Sequence, residues 1–128
     1  MKRFFVFFCV FISGFCSAYP MKDIYENLDV SSFPSSLMQK IQGDKNKFSD
    51  LKLLPKPVFK ESEFIIESDY WLYKITIFKE NRRGIHICFL DHAKQSSYDA
   101  QKPMVIRKYG ERYVAIRLYS DVCESFAR

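Results

Sequence analysis

Residues 70–90 show the clearest alternation of apolar and polar positions in the chain. Apolar side chains occupy every second position on both sides of a polar break at residues 80–84. These inward candidates are Trp71, Tyr73, Ile75, Ile77, Ile85, Ile87 and Phe89. A period of two that uses β-branched and aromatic residues is typical of strands with one buried face. The pattern therefore predicts a β-hairpin over residues 70–90, with these side chains in the core.

Weaker patterns of the same kind predict further strands at residues 63–67, 103–108 and 112–119, the last two joined by a turn at 109–111. Residues 51–59 contain Pro55 and Pro57. Because proline cannot donate to a strand ladder, that segment is expected to be an extended connector or an edge strand. Residues 91–102 are polar without a period and predict an irregular loop, of a length that often has a functional role.

Helical signals are confined to the two ends of the chain. Residues 19–28 predict a short helix, and a second helix is expected to begin at Pro34, with Phe33, Leu37 and Ile41 as one apolar stripe. A closing helical turn is expected at residues 121–124. Helices followed by consecutive strands predict an α+β fold, in which N-terminal helices pack on an antiparallel sheet of about four to five strands.

The first eighteen residues have the layout of a secretory signal peptide. Lys2 and Arg3 precede an apolar run at residues 4–15, and small residues follow at positions 16–18. The run is too short to cross a bilayer as a helix, although an uncleaved anchor remains an alternative. We therefore expect a signal peptide at 1–18, a single domain at 19–128, no transmembrane span after cleavage, and export to a periplasm in preference to full secretion.

Cleavage would leave Cys88 and Cys123 as the two cysteines of the mature chain. An even pair in an oxidising compartment usually forms a disulfide, so we expect these two residues to be linked. A disulfide removes Cys88 as a free nucleophile beside His86, its neighbour two positions earlier. The competing interpretation is a catalytic Cys–His pair.

Charge is unevenly distributed along the mature chain. The full sequence has a net charge of +5, and removal of residues 1–18 leaves 18 basic and 15 acidic residues, or +3. Residues 19–69 carry −2 and residues 70–128 carry +5. A basic half of this kind favours another protein with an acidic surface as the partner, with an anionic glycan or a membrane surface as alternatives. Nucleic acid is not expected, because the chain is predicted to be exported and contains no nucleic-acid motif.

The most suggestive binding candidates are aromatic and basic. In the last predicted strand Val114, Ile116 and Leu118 face one way, whereas Tyr113, Arg117 and Tyr119 face the other. Arg107 on the preceding strand, Tyr109 at the turn, and Arg82 and Arg83 at the hairpin tip complete the set of predicted contact residues. Tyrosine and arginine are enriched in protein interfaces, although such residues also occur on ordinary solvated strands.

Other chemistry is weakly indicated. His86, Asp91 and His92 lack the close spacing and ligand number of a zinc site, so no metal or cofactor is expected. The carboxylates at residues 61–69 alternate with apolar positions, as on a solvated strand face. A binding protein is therefore favoured over an enzyme.

The expected function is a small exported protein-binding module that occludes a partner, as an inhibitor or immunity protein does, or an envelope accessory factor. The alternatives are a small secreted enzyme or toxin subunit that uses His86, His92 or residues 61–69, and a structural envelope component.

Overall fold

The computed structural model describes residues 19–125. The predicted signal peptide at residues 1–18 lies outside the described residues. The described chain forms a six-stranded antiparallel sheet in which the strands are arranged in chain order. The strands are β1 (Val58–Phe59), β2 (Glu63–Glu67), β3 (Trp71–Asn81), β4 (Gly84–Ala93), β5 (Asp99–Tyr109) and β6 (Arg112–Arg117).

One α-helix, α1 (Met21–Asn27), lies where the N-terminal helix is predicted. The second predicted helix is wrong in type, since residues 30–40 form two 3₁₀ turns, Val30–Ser32 and Ser36–Lys40. The Asp29 side chain accepts a hydrogen bond from the Ser31 amide, and the Ser35 side chain accepts one from the Leu37 amide. Such local side-chain acceptors compete with a continuous helical ladder. Further 3₁₀ turns occur at Phe48–Asp50 and at Val122–Ser125, where a closing helical turn is expected.

The main core lies between one face of the sheet and the N-terminal segment with α1. All the predicted inward residues of the β3–β4 hairpin are buried except Trp71, which is half-buried at the rim. The N-terminal segment contributes Ile24, Leu28, Leu37 and Phe48, each at most 1% exposed. Leu37 is therefore buried, as the apolar stripe predicts, although it lies in a 3₁₀ turn and not in an α-helix.

Residues 91–102 do not form the predicted loop. Strand β4 continues to Ala93 and β5 begins at Asp99, and the two pair in register through Asp91 and Ala100. The prediction is wrong because strand pairing depends on backbone groups, which polar residues supply as well as apolar ones. The sheet has six strands instead of about four to five, because the proline-containing segment at residues 51–59 ends in the short edge strand β1.

Two features close the fold. The predicted Cys88–Cys123 disulfide is present and joins the middle of β4 to the C-terminal turn. The outer edge of β6 is covered by the N-terminal segment, since the Asp29 amide donates to the Tyr113 carbonyl and the Ser32 hydroxyl accepts from the Ala115 amide. Covering an edge in this way blocks pairing with a foreign strand. Within residues 19–125, every helix is too short or too polar to cross a membrane.

Candidate functional site

The face of β6 that carries Tyr113 is buried, although it was expected to be exposed. Tyr113 is 5% exposed and faces α1, whereas Ile116 on the other face is 48% exposed. The expectation that Tyr113 is presented to a partner is therefore wrong. The physical reason is that the hydroxyl of Tyr113 finds an acceptor in Asp23 on α1, which allows the ring to be buried.

Three of the predicted contact residues meet in one place, a groove of about 590 Å³ on the sheet face opposite the main core. The β3–β4 turn supplies Arg82 and Arg83, and β5 supplies Arg107. The remaining lining residues are Asn81, Val105, Ile116 and Leu118. We call this set the arginine groove.

A glycine allows the turn and β5 to approach each other. Gly84 has φ +136°, and a Cβ atom placed on it would lie 2.5 Å from the Ile106 carbonyl oxygen. The same atom would lie 2.9 Å from Val105 Cγ1 and 3.1 Å from Arg107 Cγ. Only glycine combines this backbone conformation with the close contact. The absence of a side chain at position 84 thus brings Arg107 next to the turn that carries Arg82 and Arg83.

The side chain of Asn81, the last residue of β3, stabilises the turn between β3 and β4. Its Oδ1 accepts the backbone N–H of Arg83 at 2.9 Å and lies 3.1 Å from Nε2 of His86. Burial lowers the pKa of His86, and the nearby Lys79 and Arg83 charges lower it further. His86 is therefore neutral at pH 7, with its Nε2 proton directed at Asn81. His86 therefore positions Asn81, which in turn stabilises the turn that carries Arg82 and Arg83.

The arginine groove is electrostatically uncompensated. Among the described residues, Arg82, Arg83 and Arg107 form no ion pair with a carboxylate, whereas Arg112 pairs with Asp29 at 3.4 Å. Val105 is 3% exposed and forms the floor, and Ile116 presents an exposed apolar side chain at its edge. The groove therefore combines free guanidinium donors with apolar surface.

The other predicted contact residues lie outside the groove. Tyr109 is 54% exposed at the β5–β6 turn, two positions beyond Arg107 and so on the same face of β5. Arg117 is the last residue of β6 and Tyr119 follows it, with the Arg117 guanidinium 5.5 Å from the tyrosine ring centroid. Tyr119 is 90% exposed. These two residues form a separate pair and do not extend the groove.

The residues considered for alternative chemistry are placed as follows. Cys88 is disulfide-bonded and has no thiol to act as a nucleophile. His92 lies 3.5 Å from Asp99, and Glu63 accepts a hydrogen bond from Thr76 at 3.2 Å. No group of three or more potential metal ligands of the His, Cys, Asp or Glu type occurs within residues 19–125.

One polar cluster was missed by reasoning from the sequence. Asp91 is fully buried on the core side of β4 and accepts hydrogen bonds from Ser36, Trp71 and Tyr98. The signal for it is present in the sequence, because Asp91 continues the inward positions Ile87 and Phe89 at the same spacing. A charge in phase with core positions indicates a buried polar site.

The arginine groove and the Asp91 cluster lie on opposite faces of the sheet. Asp91 is in phase with the core residue Phe89 on β4, whereas Val105 and Arg107 alternate with the core residues Met104 and Ile106 on β5. Comparison with known proteins finds no matching family model, no similar curated protein and no similar solved structure.

Proposed function

We propose that this chain is a small exported protein-binding module that holds an acidic, amphipathic segment of a partner protein in the arginine groove. The observation that carries the proposal is the convergence of Arg82, Arg83 and Arg107, without carboxylate partners among the described residues, around an apolar floor. A signal-like N-terminus supports export, with a periplasmic location favoured.

The chemistry of the groove suits a carboxylate-bearing protein surface. Guanidinium groups are planar and can bind carboxylates through two parallel hydrogen bonds. Ile116 and Leu118 offer apolar area that a partner side chain would remove from water. Arginine beside apolar contact area is the composition found at the energetic centre of protein interfaces.

The groove also has the rigidity that a stoichiometric inhibitor needs. Asn81 fixes the arginine turn, Gly84 sets its distance from β5, and the Cys88–Cys123 disulfide holds β4. A preformed surface loses less conformational entropy when it binds. This supports occlusion of a partner as the mode of action, with an envelope accessory role as the other form of the same binding function.

The test compares two variants with the same change in charge. The triple variant Arg82→Gln, Arg83→Gln and Arg107→Gln empties the groove of charge, and the control replaces the exposed Lys22, Lys52 and Lys56 with glutamine. The immobilised mature protein is used to retain its partner from an envelope extract, and the affinity of the identified partner is then measured by calorimetry.

We expect the groove variant to lose affinity by at least about tenfold, because each hydrogen bond to a charged group contributes about 1.5–3 kcal/mol to binding. The control should bind like the wild type. Binding by the wild type should weaken as salt is raised. Equal retention of one partner by all three proteins, or retention of none by the wild type, would contradict the proposal.

A further inference from the structure

A second cleft, of about 580 Å³, lies on the other side of the sheet, at the rim of the main core. It is formed where β3, β5 and the turn between β4 and β5 meet the 3₁₀ turn Ser36–Lys40. We call it the aromatic cleft, and its lining residues are Pro34, Ser35, Ser36, Gln39, Lys40, Trp71, Tyr73, Tyr98 and Lys102. Its residues take no part in the arginine groove.

Two aromatic rings of the cleft are fixed in place by the buried Asp91. Its Oδ1 accepts the indole N–H of Trp71 at 2.6 Å, and its Oδ2 accepts the hydroxyl of Tyr98 at 3.3 Å. The Ser36 backbone N–H and hydroxyl complete the coordination of the carboxylate at 2.9 and 2.8 Å. The carboxylate is therefore fully used within the protein and serves to position the rings.

The arrangement of the rings restricts the shape of a ligand. The centroids of Trp71 and Tyr98 are 5.8 Å apart, and the ring planes are inclined at 40°. A planar group inserted between two rings requires about 7 Å, twice an ordinary carbon contact. A planar group such as a nucleobase therefore cannot be sandwiched between Trp71 and Tyr98. A ligand must contact the parts of these rings that line the cleft, as the C–H face of a sugar can.

The rim of the cleft is polar and positively charged. Lys40 and Lys102 both line it, and no carboxylate is among its lining residues. The Lys102 ammonium donates one hydrogen bond to the Pro34 carbonyl oxygen at 2.8 Å, which leaves two further donors. Gln39 and Ser35 add neutral hydrogen-bonding groups beside the rings.

We propose that the aromatic cleft binds an anionic saccharide. The sugar ring lies on Trp71 and Tyr98, its carboxylate or sulfate contacts Lys40 and Lys102, and its hydroxyls contact Gln39 and Ser35. The same class of ligand uses both features of the cleft, since a sugar has an apolar face and a polar edge. This inference is independent of the proposed protein-binding function, because it involves different residues on the other face of the sheet.

The chain contains one tryptophan, Trp71, so its fluorescence reports directly on this cleft. The purified protein is titrated with four ligands: a galacturonate oligomer, a heparin-derived oligosaccharide, a neutral oligosaccharide of the same length, and AMP as a planar anion. We expect a saturable change with at least one acidic saccharide. The affinities for the neutral saccharide and for AMP should be lower by at least about tenfold. The two acidic ligands distinguish a carboxylate from a sulfate as the preferred group.

Variants test the assignment of residues. Lys102→Gln and Tyr98→Ala should each weaken binding of the acidic saccharide about tenfold, whereas the exposed controls Lys56→Gln and Tyr109→Ala should leave it unchanged. Circular dichroism confirms that each variant is folded, and Tyr98→Phe retains the ring if Tyr98→Ala does not fold. No saturable binding of either acidic ligand by fluorescence and calorimetry would overturn the proposal, as would equal binding of AMP. The groove variant with three glutamines should bind saccharide normally, which separates failure here from failure of the proposed function.

Discussion

The hydroxyl of Tyr113 on β6 donates a hydrogen bond to Oδ2 of Asp23 on α1, at 2.8 Å. The same carboxylate oxygen lies 3.2 Å from Nζ of Lys108, whose ammonium is 5.3 Å from the centroid of the Tyr113 ring. The amide of Asn27 donates to the other oxygen, Oδ1, at 2.8 Å. One carboxylate thus joins the first helix of the described chain to its last two strands.

Removal of the Tyr113 hydroxyl should destabilise the protein without emptying the core. Tyr113→Phe keeps the buried ring and deletes the hydrogen bond to a charged acceptor, so we expect a loss of about 1–2 kcal/mol in the free energy of unfolding. Urea denaturation measures this loss. Tyr109→Phe is the matched control, because Tyr109 is exposed and should change stability by less than about 0.5 kcal/mol. Equal effects of the two substitutions would show that the Tyr113–Asp23 bond contributes nothing.

Asp23 should also make stability depend on acid pH. The pKa of Asp23 lies below its ordinary value of 3.8, first because the Tyr113 hydroxyl donates to it and further because of Lys108 and Asn27, while burial opposes the shift. Its contribution is therefore fully present above pH 3.8 and is lost as pH falls through the folded-state pKa. Asp23→Asn should flatten the dependence of the urea midpoint on pH in that window. Asp44→Asn, in an exposed turn, should not, and an unchanged profile for Asp23→Asn would refute the linkage.

Asp91 should be far more sensitive to substitution than a surface aspartate. Asp91→Ala leaves four partly buried donors from Ser36, Trp71 and Tyr98 without their acceptor, and we expect it to cost about 3 kcal/mol. Asp69→Ala, at an exposed position, should cost less than about 0.5 kcal/mol. Thermal unfolding monitored by Trp71 fluorescence gives both values. A cost near that of Asp69→Ala would mean that water replaces the carboxylate.

Gly84 should be intolerant of any side chain. Gly84→Ala places a Cβ atom 2.5 Å from the Ile106 carbonyl oxygen at a φ of +136°, so we expect a loss of at least about 2 kcal/mol in stability. Gly43→Ala is the control, because at φ +61° nothing lies within 4 Å and only the backbone penalty of about 1 kcal/mol applies. Chemical denaturation compares the two. A cost for Gly84→Ala no greater than that of the control would contradict the close packing described above.

The disulfide should contribute a large share of the stability. Its cysteines are 35 positions apart, and closing a loop of that length stabilises the folded state by roughly 3–4 kcal/mol in the chain-entropy model. The double variant Cys88→Ala and Cys123→Ala should lose about this amount in urea denaturation. A thiol titration of the unfolded, unreduced mature protein should find no free thiol. One reactive thiol per chain would contradict the pairing and restore the catalytic interpretation of Cys88.

Local features of the sequence were sufficient to predict the hairpins, the disulfide and α1. Strand β2 coincides with the predicted residues 63–67, because the signal for a strand and its turns is contained in adjacent residues. The pairing of Cys88 with Cys123 followed from the predicted removal of residues 1–18, which leaves these two cysteines in an exported chain. The strand and helix predictions depend on residues that are close together in the sequence, and the disulfide prediction allows only one pairing.

The sequence by itself thus determined the positions of the strands, except for the extension of β4 and β5 into residues 91–102, and the position of Arg82 and Arg83 at a turn. It could not determine which face of β6 is buried, because both faces carry apolar residues and the choice depends on Asp23, ninety positions earlier. Nor could it place Arg107 beside Arg82 and Arg83, since that contact depends on the approach of β5 to Gly84. Only the tertiary structure decided these points, because pairing register and burial bring together residues whose local sequences contain no information about each other.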